Sequence, residues 1–211
     1  MREVKTWYTN QRIQRTLAAL EKNGFQTFFA PTISEALEKL LSLIPSNAKV
    51  GIGGSVTLRE INLIEALTAR GNTILQHWQQ PEENVVNIMR EQLNSDVFLA
   101  SSNAVTEDGK LINIDKAGNR VAAMIFGPKK TILVVGMNKI VKDVDEGIKR
   151  ARNVAAAMNA RRRGDKTPCA ITGVCSDCDA QDRVCNVITI MEKKPARSDI
   201  SVILVREELG F

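Results

Sequence analysis

Three segments of this 211-residue chain carry residue types and spacings that could do chemistry. Cys169, Cys175, Cys178 and Cys185 are separated by five, two and six residues, all between Pro168 and Asn186. Thiolates gathered by one loop, with one Cys-x-x-Cys pair, suit tetrahedral zinc or an iron–sulfur cluster. The spacing matches neither the bacterial ferredoxin run nor a zinc ribbon, so a redox pair, a disulfide and free thiols stand as alternatives. The second segment, Gly51-Ile52-Gly53-Gly54-Ser55, lies between a strand-like and a helix-like run. There, backbone N–H groups and the positive helix end can hold an anion that glycine lets approach closely. Val56 occupies the third glycine position of a dinucleotide fingerprint, and no Gly-Lys-Ser/Thr follows, so neither that motif nor a nucleotide P-loop is present. A tight turn with no ligand explains the same residues.

The third segment runs from Asn103 to Arg120 and is dense in polar groups for a region otherwise made of strands. Asp108-Gly109 and Gly118-Asn119 are turn dipeptides, which accounts for much of that polarity. Glu107 and Asp115 are required by neither turn, so they are the candidate catalytic carboxylates, as nucleophile or base if burial raises a pKa. Asn103, Asn119 and Arg120 are candidate ligand-binding residues beside them. Lys139, after the apolar run TILVVG, is expected near the same sheet edge, positioned to bind an acidic substrate; a solvated loop lysine is the commoner case. The lone histidine, His77, has no recognisable partner and reads as structural. It also excludes HExxH and every multi-histidine metal site.

These residues need a scaffold, and the hydrophobic pattern supplies an α/β one. Helices are expected at about 10–22, 32–44, 56–69, 82–93 and 143–163, with strands at 25–30, 48–52, 72–75, from 96, 131–136 and 201–205. Thr32 with Glu35 forms a capping box, and Thr57 with Glu60 could form another. Val144, Ile148, Ala151, Ala155 and Met158 make one stripe on the last helix. The alternation implies parallel strands joined by crossover helices. The runs AVT, KLINID and RVAAMIF, punctuated by turn dipeptides, suggest an antiparallel meander. The expectation is a single domain over 1–211 with a cysteine-rich loop at about 164–195.

The composition, 44% hydrophobic and 25% charged, excludes disorder and collagen-like order. No apolar run approaches the roughly 20 residues that cross a bilayer, and MREVKTWYTNQR has no signal core, so a cytoplasmic protein is expected. The net charge of +5 is concentrated. Between Lys149 and Lys166 seven basic residues meet one acidic one, while the remaining 22 Lys and Arg face 23 Asp and Glu. A solvated helix face explains this, and so would an acidic partner or cofactor at the adjoining cysteine loop. Aromatic residues are only 4% and no reading motif occurs, which argues against nucleic acid.

Taken together, GIGGS, the stretch SSNAVTEDGKLINIDKAGNRVAAMIFGPKKTILVVGMNKIV, the PCAITGVCSDCDAQDRVCN loop and the closing ISVILVREELGF resemble the lactate-utilisation (LUD) domain family, in its short form with a C-terminal cysteine loop. The resemblance implies a three-layer, Rossmann-like sandwich similar to sugar-phosphate isomerases and coenzyme A transferases. It places Gly51, Gly53, Gly54 and Ser55 where related isomerases face phosphate. Glu107 falls where the transferases carry a catalytic glutamate, with Asp108 in place of their usual Asn. It further implies a role in oxidation of L-lactate to pyruvate, as an accessory or electron-transfer component with an iron–sulfur or oxidoreductase partner. A stand-alone enzyme for a phosphorylated or coenzyme A-linked anion is the alternative. No flavin or nicotinamide motif is present, so a self-sufficient lactate dehydrogenase is not expected.

Overall fold

The computed structural model describes residues 1–78 and 80–211. The chain opens with α1 (Arg2–Lys22), β1 (Gln26–Ala30), α2 (Ile33–Ser42) and β2 (Lys49–Ile52). Next come α3 (Val56–Glu60), α4 (Leu63–Ala69), β3 (Thr73–Gln76), α5 (Glu82–Gln92) and β4 (Val97–Ala100). A hairpin, β5 (Ala104–Thr106) and β6 (Leu111–Asp115), leads into α6 (Asn119–Ile125), β7 (Lys130–Gly136) and β8 (Ile140–Val141). The last helix runs as α7 (Val144–Arg150), a π-helical stretch (Ala151–Ala156) and α8 (Ala157–Arg163), before α9 (Pro168–Thr172), β9 (Val187–Met191) and β10 (Ile200–Val205).

Six strands form one wholly parallel sheet in the order β1-β10-β7-β4-β2-β3. β4 (VFLA) and β10 (ISVILV) are buried at every residue, as parallel strands covered on both faces must be. On one face α2, α3 and α4 supply Leu40, Leu58 and Leu67, and the turn between α3 and α4 supplies Ile61, to a core with β2 and β7. On the other, Ile13, Leu17 and Leu20 of α1 and Met124 of α6 pack on β4, β7 and β10. This is the three-layer, Rossmann-like α/β architecture. A second, four-stranded sheet, β8-β5-β6-β9, extends it, with α7 and the π-helical stretch packed on its hairpin.

Several local expectations need correction. The helix expected over 56–69 is two helices, because Asn62 takes a left-handed conformation (φ +52°). RVAAMIF is not a meander strand but α6: Asp115 accepts the Val121 N–H at 3.1 Å, which satisfies a free helix-start donor and starts the turn. The cysteine-rich loop is shorter than expected, since VITIM pairs with β6 as β9. The stripe on the last helix also shifts. The π-helical stretch inserts extra backbone per turn, so Ala156 and Ala160 are buried while Met158 is 47% exposed.

The β5–β6 hairpin is clamped to α1. Asn23 Nδ2 donates to the carbonyls of Asp108 (3.0 Å) and Gly109 (2.9 Å), and Arg12 Nε donates to Glu107 Oε1 at 2.7 Å. Gly109 turns the hairpin at φ +82°, and a Cβ there would come within 2.5 to 2.7 Å of the Ala19 and Leu20 backbone. Gly164 has a similar φ, +75°, with nothing within 4 Å. The two positions separate strain from crowding. Gly164→Ala should cost about 1 kcal/mol, the left-handed backbone penalty alone. Gly109→Ala should cost about 2–4 kcal/mol, because overpacking against fixed backbone adds to it. Urea unfolding of both variants measures the difference.

Candidate functional site

A cavity of about 760 Å³ opens at the carboxyl edge of the parallel sheet. The chain turns outward from β2 to β3, then returns to place β4 on the other side of β2, and ligands of open α/β sheets settle at such a reversal. Gly54 and Ser55 line the cavity after β2, His77 and Trp78 after β3, Ser101 to Asn103 after β4, and Lys139 after β7. Asn159, Arg162 and Arg163 of α8 close it from the helix side.

Arg120 fixes one wall. Its Nε donates to Asp115 Oδ1 at 2.9 Å, and Nη1 donates to the Ser101 carbonyl (3.0 Å) and to Asn113 Oδ1 (2.6 Å). Nη2 donates to Asn103 Oδ1 (3.0 Å) and to the Ile114 carbonyl (2.8 Å). A guanidinium has five N–H donors, and all five have protein acceptors. Asp115 is committed too, with one oxygen on Arg120 and the other on the start of α6. Asn103 Oδ1 also accepts the Ile114 N–H at 2.9 Å. Asn103, Asp115 and Arg120 are therefore brought together as expected, but as a structural knot that shapes the cavity. Asn119 lines the same wall.

Glu107 lies elsewhere. It binds Arg12 and Arg15 on α1 and is not among the cavity residues, so the geometry gives it a fastening role. The glycine turn also divides. A Cβ on Gly51 would meet Ser95, Phe98 and Gln92 at 3.0 to 3.3 Å, and one on Gly53 would meet Phe98 and Arg120 at 3.2 to 3.4 Å, so these two glycines serve close packing. Gly54 faces the cavity, its Cβ position 3.6 Å from His77 Nε2, and Ser55 caps α3 by accepting the Leu58 N–H. Thr57 and Glu60 form no capping box. Thr57 Oγ1 meets Lys139 at 2.8 Å, and Glu60 accepts the Gly210 N–H at 2.7 Å.

Lys139 is 3% exposed, and its side-chain nitrogen hydrogen-bonds to two hydroxyls, Thr57 Oγ1 at 2.8 Å and Ser101 Oγ at 3.0 Å. Burial, reinforced by Arg150 and Arg120 and opposed only by Glu60, lowers its pKa to about 7. His77 is held below its usual pKa by burial and by Arg163 and Arg59, which favours its neutral form. Arg59, stacked 4.0 Å over the Trp78 ring, crowds Arg162 and Arg163 from the opposite wall. Arg59, Trp78 and Ser101 carry no sequence signal for this site, and His77, expected to be structural, lines it. Arg162 and Arg163 belong to the basic run that the sequence offers either as a solvated helix face or as a place for an acidic partner or cofactor, and their approach to Arg59 is a tertiary event.

The four cysteines are all half-buried and unpaired. Cys169 and Cys185 pack with Ala160, Ala170 and Val184, and burial raises the Cys185 pKa, with Cys175 and Cys178 within electrostatic reach. In type they suit zinc or an iron–sulfur cluster. In position, among the described residues, no three ligating side chains are gathered closely enough to hold a metal.

The lowered pKa of Lys139 has a measurable signature. Unfolded, it titrates near 10.5, and folded near 7, so between these values the unfolded chain holds a proton that the folded chain lacks. Folding stability from this group therefore rises with pH across that window and is flat below it. The stability of the wild type relative to Lys139→Met should climb from pH 7 to pH 10 in denaturant titrations. A pH-independent difference would contradict a neutral lysine.

Comparison with known proteins agrees with this architecture. Residues 13–205 match the profile of the LUD domain. The fold is similar to the crystal structure of a DUF162 family protein from Deinococcus radiodurans, which is 15% identical, with a TM-score of 0.53 over 93% of this chain and 98% of that one. No curated protein matches the sequence. Nearly the whole chain is covered by the profile match, and the chain belongs to the LUD domain family, the family of lactate-utilisation-related proteins.

Proposed function

We propose that this protein binds and acts on a small anionic metabolite, a carboxylate or phosphate ester, in the cavity at the sheet edge. The observation that carries this reading is the convergence of Arg59 from α3 with Arg162 and Arg163 from α8 around one space. Their acidic counterweight is slight. Asp165 pairs with Arg163 at 2.9 Å, and the cavity's own carboxylate, Asp115, is taken by Arg120. Three guanidiniums crowded at a cavity repel one another, and an anion between them relieves that cost. The arginines would neutralise and orient the ligand, and the neutral imidazole of His77 can exchange a hydrogen bond with it without competing for charge. A ligand seated there would have Lys139 among its walls. Coenzyme A esters and sugar phosphates belong to the same chemical class.

A narrower second reading is an accessory component of lactate oxidation that takes up zinc or an iron–sulfur cluster and docks an oxidoreductase. What favours it is the short segment bearing all four cysteines, with Cys175 and Cys178 both in electrostatic reach of Cys185. Metal uptake would require that loop to close. Anaerobic purification with iron, sulfide and zinc analysis is the test: stoichiometric metal supports it, and four titratable thiols without metal remove it.

For the main reading, thermal unfolding with a panel of carboxylates, sugar phosphates and acyl-coenzyme A esters is the direct experiment. A ligand at about 100 times its Kd adds about 2.7 kcal/mol, a rise of roughly 5–10 °C for a chain of this size. Arg163→Ala should weaken that ligand about tenfold or more, the usual loss of a charge-assisted hydrogen bond. Absence of any shift across the panel would count decisively against an anion site.

A further inference from the structure

We infer that Lys139 is a nucleophilic amine that condenses with the carbonyl carbon of the bound metabolite, which makes the substrate class a small carbonyl compound bearing a carboxylate or phosphate. The inference rests on the anion-binding reading above and specifies the chemistry of its ligand.

The geometry begins with the two hydroxyls around the amine. The Thr57 hydroxyl is directed at the Leu209 carbonyl and the Ser101 hydroxyl at the Ser102 carbonyl, both at 3.4 Å. With their own protons turned to carbonyls, both oxygens present lone pairs to Lys139 Nζ and accept its N–H groups. Two of the nitrogen's three positions are thereby fixed. The third is taken by no hydrogen bond among the described residues, and Lys139 lines the cavity. In a neutral amine that position is a lone pair.

Charge favours the neutral form. The charged groups acting on Lys139 are Arg150, Arg120 and Glu60. Arg150 is fastened to the carbonyls of Asn138 and Asn103, and Arg120 to its knot, so neither guanidinium can withdraw. Glu60 is engaged with the Gly210 N–H, and among the described residues no carboxylate forms an ion pair with Lys139. A lysine meant to anchor an anion needs its charge, and this site weakens its hold on the proton while Arg59, Arg162 and Arg163 supply positive charge elsewhere in the same cavity. An uncharged buried amine is the form that attacks an electrophilic carbon.

The step balances without a further reactant. The Nζ lone pair forms a bond to the carbonyl carbon while the carbon–oxygen π pair moves to oxygen. Oxygen takes up the proton that nitrogen sheds, giving a carbinolamine. A second proton reaches that hydroxyl, the carbon–oxygen bond breaks and water leaves. A protonated imine remains on Lys139, so one neutral amine, one carbonyl and one proton drawn from solvent become one iminium and one water.

The test is reductive trapping of the full-length protein with sodium cyanoborohydride in the presence of pyruvate, glyoxylate or dihydroxyacetone phosphate, with intact-mass measurement and peptide mapping. Thermal melts with the same compounds, and with lactate and glycerol 3-phosphate as carbonyl-free controls, run alongside. The expected result is one adduct with at least one carbonyl probe, mapped to Lys139, forming at least severalfold faster at pH 8 than at pH 6. Lys139→Arg should abolish it, and peptide mapping of the wild type stands even if that variant does not fold. Thermal stabilisation with no adduct on Lys139, or with adducts scattered over surface lysines, overturns the imine and leaves anion binding intact. Neither stabilisation nor adduct with any probe overturns both.

Discussion

The Arg120 guanidinium ties together three elements that would otherwise have no reason to meet. Its five donors reach the turn after β4, the β6 strand and the Asp115 carboxylate, and Asp115 in turn starts α6. A planar fork with fixed donor directions imposes one relative placement on these segments, which a lysine with the same charge could not do. Asn103 and Asn113 are oriented by the same fork. The wall of the cavity is therefore set before any ligand arrives. Because the fork is saturated, the positive charge at this wall contributes potential but no free donor.

That arrangement separates two tasks that sequence alone would assign to any basic residue near a pocket. Arg59, Arg162 and Arg163 stay charged whatever their surroundings at neutral pH, and they reach the cavity from exposed helix ends. Lys139 is enclosed among hydroxyls and fixed guanidiniums, where burial and then the guanidiniums lower its pKa to about 7 and so populate the neutral amine near neutral pH. Charge at the rim with a neutral amine in the wall is a layout for holding an anion by its charged end and acting on an uncharged carbon. The π-helical stretch contributes by turning Ala155, Ala156 and Asn159 toward the cavity ahead of the two arginines.

Much of the frame was legible in the sequence. Short unalternating apolar runs such as TILVVG read as strands covered on both faces, and the Thr32 cap marked the start of α2. RVAAMIF was misread because a seven-residue apolar run fits either period, and only the Asp115 contact to Val121 N–H decides it. Asn103, Asp115, Arg120 and Lys139 were found as a polar cluster at the sheet edge, which their density after predicted strands signalled. Their roles were not legible, since whether a donor is saturated or an amine is desolvated depends on groups distant in the chain: Ser101 for Arg120, Thr57 for Lys139. Glu107 resembled a catalytic residue by its place beside Asp108-Gly109, yet its partners, Arg12 and Arg15, lie on a helix nearly a hundred residues earlier.

A preformed cationic cavity at the β2–β4 reversal would hold a small anion within reach of Lys139. A crystal structure of the protein grown with pyruvate tests it most directly. The account predicts the oxo acid inside the cavity, its carboxylate among Arg59, Arg162 and Arg163 and its carbonyl carbon at or bonded to Lys139 Nζ, with the Arg120 knot unchanged. An empty cavity at saturating pyruvate, or pyruvate bound only at exposed arginines outside it, would contradict the account.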